Sequence, residues 1–84
     1  MKRTESKRHK IEGHNQMRLE ELGGLIKEYR RNTMLSRKEF AEEFGISKGI
    51  LERIEVGNNI ELHSILRLCD IFYLSPHELF YGID

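Results

Sequence analysis

The stretch Ser36-Arg37-Lys38-Glu39-Phe40-Ala41-Glu42-Glu43-Phe44-Gly45-Ile46-Ser47-Lys48-Gly49-Ile50-Leu51-Glu52-Arg53-Ile54-Glu55-Val56 holds two helix starts with a helix stop between them. Ser36 and Glu39 form a capping box, in which the hydroxyl accepts from the Glu39 backbone and the carboxylate reaches back. Phe40, Ala41 and Phe44 make the apolar face of the helix that follows, and Gly45 supplies a left-handed stop. Only Ile46 then precedes Ser47, a good N-cap for a helix running through Val56 with Leu51 and Ile54 turned inward. Two helices joined by about three residues cross steeply, so a small side chain is needed at the crossing. Ala41 is that residue, and Phe40, Phe44, Ile46, Leu51 and Ile54 fill the wedge.

On the N-terminal side, Leu19, Leu22, Ile26 and Tyr29, with Leu25 beside them, recur at spacings of three and four from Asn15 onward. They predict a first helix that fades near Asn32–Thr33. Gly23 and Gly24 within it each cost about 1 kcal/mol relative to alanine, which points to close packing at both. On the C-terminal side, Gly57-Asn58-Asn59 is a turn cluster. A fourth helix is expected from about Ile60 to Tyr73, with a wide apolar face of Leu62, Ile65, Leu66, Leu68, Cys69 and Phe72. Ser75-Pro76-His77-Glu78 is a second capping box, its proline at the first helical position. Leu79 and Phe80 anchor that last helix, and Gly82 ends it. No segment alternates as a strand would, so the expected architecture is all-α with five helices.

With 84 residues and 10.0 kDa there is room for one small domain, placed at residues 15–84. No apolar run approaches the ~20 residues of a membrane span, and no secretory signal follows Met1-Lys2-Arg3. A single cysteine, Cys69, closes no intrachain disulfide, so a reducing, cytoplasmic setting is expected. The formal charge of zero hides an asymmetry. Residues 1–18 hold six Lys/Arg against two Glu, a net +4, and residues 19–84 hold eight against twelve acids, a net −4. Residues 1–14 therefore read as a flexible basic arm, which either orders on a polyanion or merely keeps the chain soluble.

The ordered set of motifs resembles the lambdoid repressor/Cro, or Xre-type, family of helix-turn-helix proteins. The likeness spans Leu22 to Leu79. It rests on Leu22-Gly23-x-x-Ile26-x-x-x-Arg30, Leu35-Ser36-Arg37-Lys38-Glu39-Phe40-Ala41, Phe44-Gly45-Ile46-Ser47, Ile54-Glu55-Val56-Gly57 and Leu74-Ser75-Pro76-x-Glu78-Leu79. The resemblance implies a five-helix repressor-like bundle that binds double-stranded DNA and regulates transcription, with the helix 47–56 in the major groove. It implies a partly buried ion pair between Arg30 and Glu55. It also places Lys48, Gly49 and Arg53 at base-reading positions, where a lysine or arginine seeks guanine O6 and N7. Ile50 beside them suits a thymine methyl or packs against the preceding helix. Ser36, Arg37, Asn58 and Asn59 frame the motif as phosphate contacts.

Several residues depart from the family pattern. Arg37 replaces a glutamine that braces the recognition helix and binds phosphate; arginine keeps the second role and leaves the first open. Gly49 stands where a polar reader is usual, Glu52 brings an acid toward the DNA side, and Val56 replaces a polar residue. In family terms the chain is a homodimer on a roughly palindromic operator with half-sites about 34 Å apart. Phe72, Tyr73, Phe80 and Tyr81 are the expected dimer contact. Lys2, Arg3, Lys7, Arg8 and Lys10 of the arm are expected at phosphates or in a minor groove. The competing expectation is a protein-interaction module with the same fold, such as an antitoxin bound to a toxin-like partner.

Nothing in the sequence supports catalysis or a cofactor. His9, His14, His63 and His77 have no metal-ligand spacing among themselves or with Cys69. Cys69 lies on an apolar face as a small hydrophobe. Ser36 and Ser47 are caps with no His–acid pair in reach, and the paired acids Glu20/Glu21 and Glu42/Glu43 read as solvated helix faces.

Overall fold

A computed structural model describes residues 2–58 and 61–83, with side chains from residue 13 onward. Five helices follow in order: α1 Lys2–Asn32, α2 Arg37–Phe44, α3 Lys48–Glu55, α4 Leu62–Ile71 and α5 Pro76–Tyr81. The described residues contain no strand. α1 begins at Lys2 rather than near Asn15, and Gly13 does not interrupt it. Lysine, arginine and glutamate are good helix formers, and one interior glycine costs only about 1 kcal/mol. The side chains of Lys2, Arg3, Lys7, Arg8, His9 and Lys10 lie outside the described residues.

The caps expected at α2, α3 and α5 form as local chemistry dictates. Ser36 Oγ accepts from the Glu39 N–H at 3.1 Å, and the Ser36 N–H donates to Glu39 Oε1 at 3.0 Å. Ser75 and Glu78 repeat this at α5, behind Pro76. Ser47 Oγ accepts from the Ile50 N–H at 3.3 Å. Gly45 ends α2 at φ 65°, a left-handed conformation that favours glycine. Arg67 of α4 completes that end by donating from Nη2 to the Phe44 carbonyl at 3.0 Å.

The core joins Leu22 and Ile26 of α1, Phe40 and Ala41 of α2, Ile46 of the turn, Leu51 and Ile54 of α3, and Ile65, Leu68, Cys69 and Leu79. α4 buries a narrower stripe than its composition suggests. Leu62 and Leu66, one turn apart, remain exposed because the neighbouring helices cover only the face carrying Ile65, Leu68 and Cys69. Phe72 turns inward instead of standing out with the other aromatics. Its ring stacks on Tyr29 at 5.3 Å between centroids and packs near Phe40 at 5.6 Å.

α1 rests directly on the C-terminal end of α3. At Gly23 an added Cβ would meet the Ile54 carbonyl oxygen at 2.2 Å, whereas at Gly24 it would meet nothing within 4 Å. Close packing therefore explains the first glycine only. Gly23→Ala is expected to destabilise the fold by about 1–3 kcal/mol, because backbone rather than a flexible side chain must give way. Gly24→Ala is expected to stabilise it by up to about 1 kcal/mol. Urea midpoints of the two variants, compared at equal m-value, check the contrast.

Candidate nucleic-acid interface

α3 is held by one face and offers the other. Leu51, Ile54 and Glu55 are buried, and at 3.6 residues per turn this aims Gly49, Glu52, Arg53 and Val56 away from the core. Lys48 and Ile50 flank that outward row. The Lys48 and Glu52 side chains are 56% and 46% exposed, and Lys48 Nζ lies 3.6 Å from Glu52 Oε1. Arg53 is exposed one residue further on. Ile50 is 37% exposed, so one side of it faces solvent rather than α2. Val56 is 60% exposed, which puts a second apolar group on the same surface. Gly49 fills no steric need, since an added Cβ would meet only Ser47 Oγ at 3.8 Å. Its effect is to leave the start of α3 open, with backbone able to approach a flat partner.

The inner end of α3 is fastened by charge. Arg30 donates from Nε to Glu55 Oε2 at 2.7 Å and from Nη2 to Oε1 at 3.1 Å, a bidentate pair. Its Nη1 also donates to the Leu35 carbonyl at 3.0 Å, tying down the segment between α1 and α2. Arg37 adds Nε to Glu55 Oε1 at 3.0 Å. One carboxylate, its side chain fully enclosed, thus joins α1, the start of α2 and the end of α3. Burial alone would raise the Glu55 carboxyl; the hydrogen bonds and charges of Arg30 and Arg37 outweigh it and hold the group below the usual carboxylate range. Arg37 therefore braces α3. Neither its residue type nor its distance along the chain from Glu55 indicates that contact.

The rim is more occupied than its sequence suggests. The Ser36 backbone N–H is taken by Glu39, so an anion at the start of α2 would meet the Ser36 hydroxyl and the Arg37 guanidinium, whose side chain is 35% exposed. The Asn58 backbone N–H is also committed, donating to the Arg53 carbonyl at 2.9 Å as part of the α3 cap. Asn58 itself is exposed. Asn59 lies outside the described residues.

Away from this face, Tyr73, Phe80 and Tyr81 point outward, the two tyrosines at 94% and 83% exposure. Cys69 is buried, and burial followed by the charge of Asp70 raises its thiol. Such a group is a poor nucleophile and packs as a small hydrophobe. Among the described residues no cluster of three His, Cys, Asp or Glu side chains is placed to hold a metal ion, and no helix is long and apolar enough to cross a membrane.

Comparison with curated proteins and with solved structures gives no match. The family described as a helix-turn-helix domain matches residues 21–79, from the middle of α1 into α5. That range contains the caps, the Gly23 crossing, the Arg30–Glu55–Arg37 tie and the outward face of α3, and the chain belongs to the helix-turn-helix domain family.

Proposed function

We propose that the chain is a sequence-specific DNA-binding transcriptional regulator of bacterial or phage type, a repressor similar to the Cro and Xre-type proteins. The family implies DNA binding; the observation that carries the finer reading is the division of α3. Its buried residues and the doubly held Glu55 fix the helix, while Lys48 and Arg53 stand on the exposed side with Gly49 and Ile50. A rigid helix with cationic tips fits the major groove, where guanine O6 and N7 accept from Lys48 and Arg53 and a thymine methyl meets Ile50. Ser36, Arg37, Asn58 and Asn59 contact phosphate and set register. Lys2, Arg3, Lys7, Arg8 and Lys10 add phosphate neutralisation, which the net-acidic remainder of the chain does not supply.

One recognition helix covers too few base pairs for a unique site, so the chain acts as a two-fold dimer on an approximately palindromic operator. Tyr73, Phe80 and Tyr81 are the exposed aromatics that support such a contact. Sedimentation of the chain with a duplex bearing two half-sites about 34 Å apart is expected to show two copies per duplex. A strict one-to-one complex contradicts the dimer.

The exposed Ile50 and Val56 on α3 favour a second reading, in which the same face docks a toxin-like protein. A stable complex with such a partner that leaves duplex affinity unchanged on substitution of Lys48 and Arg53 supports it.

A further inference from the structure

The Lys48–Glu52 pair is poorly placed as a helix stabiliser. Lys48 is the first residue of α3, where the helix dipole disfavours a cation, and the first turn holds no acid. The lysine also precedes the glutamate by four residues, the weaker order for an exposed helical ion pair. Glu52 further sets a carboxylate on a face whose partner carries a phosphate at every nucleotide. Both side chains are about half exposed and on one side of the helix, and neither supports the core.

We infer that Lys48 and Glu52 work as one donor–acceptor dyad that reads the major-groove edge of a single G·C pair, a reading that rests on the DNA-binding function proposed above. Lys48 donates to guanine O6 or N7, and Glu52 accepts from the N4 amino group of the paired cytosine. Those groups adjoin one another on the pair, since cytosine N4 and guanine O6 are themselves hydrogen-bonded at about 2.9 Å. The 3.6 Å between Nζ and Oε1 matches that spacing closely enough for both contacts to form together. The dyad is neutral, so it discriminates between bases without adding to non-specific attraction for phosphate. An A·T pair offers an adenine amino donor and a thymine acceptor in other positions, and a reversed C·G pair exchanges the two ends. Glu52 thereby becomes a specificity-determining residue beside Lys48.

The test is binding-site selection from random duplex DNA with the wild-type chain, Glu52→Met and Lys48→Met, followed by titration of the recovered site. Both substitutions are expected to relax preference at the same single base pair, by roughly 5- to 150-fold in relative affinity, and to leave the other positions unchanged. Exchanging guanine for inosine at that pair, which alters only the minor-groove edge, is expected to leave wild-type binding intact. The dyad is overturned if the two variants relax different base pairs. It is equally overturned if Glu52→Met raises affinity for every duplex alike with preference unchanged, which makes the acid a repulsive charge only. Recovery of no preferred site by the wild-type chain removes the proposed function and the dyad with it.

Discussion

Replacing Glu55 with alanine is expected to lower stability by about 3–5 kcal/mol, the range for removing one partner of a buried charge pair. A domain of this size has about 5–15 kcal/mol in total, so the variant is close to unfolding. The size of the effect follows from what is left behind. Arg30 is nearly buried and loses a bidentate partner at 2.7 and 3.1 Å, and Arg37 loses its contact at 3.0 Å. Arg30→Ala is expected to cost more than Arg37→Ala, because the Arg37 side chain is already a third exposed and hydrates readily. Urea unfolding at neutral pH measures all three, and a Glu55→Ala loss below about 1 kcal/mol contradicts the structural role given to the tie.

The same carboxylate gives a pH signature. Its folded-state pKa lies below the unfolded value near 4.5, so its stabilisation is fully present above that value. It is lost as pH falls from there through the folded pKa. Acid unfolding of the wild type should therefore be steeper below about pH 4.5 than that of the Glu55→Ala variant.

Substituting Lys48 and Arg53 with alanine has the largest expected effect on function with the fold intact. Both side chains are on the outward side of α3 and make no contribution to the core. Each change is expected to weaken binding to the preferred duplex by about 1–3 kcal/mol and to relax selectivity at the base it reads. Arg53 is expected to be the larger, since its planar guanidinium pairs bidentately with guanine and lysine acts as a point charge. A phosphate role predicts something different: affinity would fall uniformly across sequences, and the salt slope would drop by about one for each cation removed. Titration at two salt concentrations with preferred and scrambled duplexes separates the two.

Local rules made much of the fold readable. The boxes at Ser36 and Ser75, the stop at Gly45 and the stripe of Leu22 and Ile26 each depend on residues three or four apart, and all are found where spacing places them. What escaped depends on which neighbour covers a given face. Leu62 and Leu66 are as apolar as Ile65 and Leu68, yet only the latter pair faces another helix. Phe72 is as aromatic as Tyr73, but the rings of Tyr29 and Phe40 draw it inward.

The candidate site divides in the same way. The place of Lys48, Gly49 and Arg53 on a helix follows from the Ser47 cap, but their reading as base contacts and the Arg30–Glu55 pair both come from family likeness. Arg37 turning to Glu55 and Arg67 capping α2 are long-range contacts that no local spacing encodes.

In the function proposed above, the exposed side of α3 reads the base edges of duplex DNA. Selection of bound sites from a random duplex library, run in parallel with the wild-type chain and the Lys48→Ala/Arg53→Ala double variant, tests it most directly. The wild type is expected to enrich paired half-sites containing guanine, and the folded double variant to enrich none. Enrichment of the same site by both proteins, or of no site by the wild type, would contradict it.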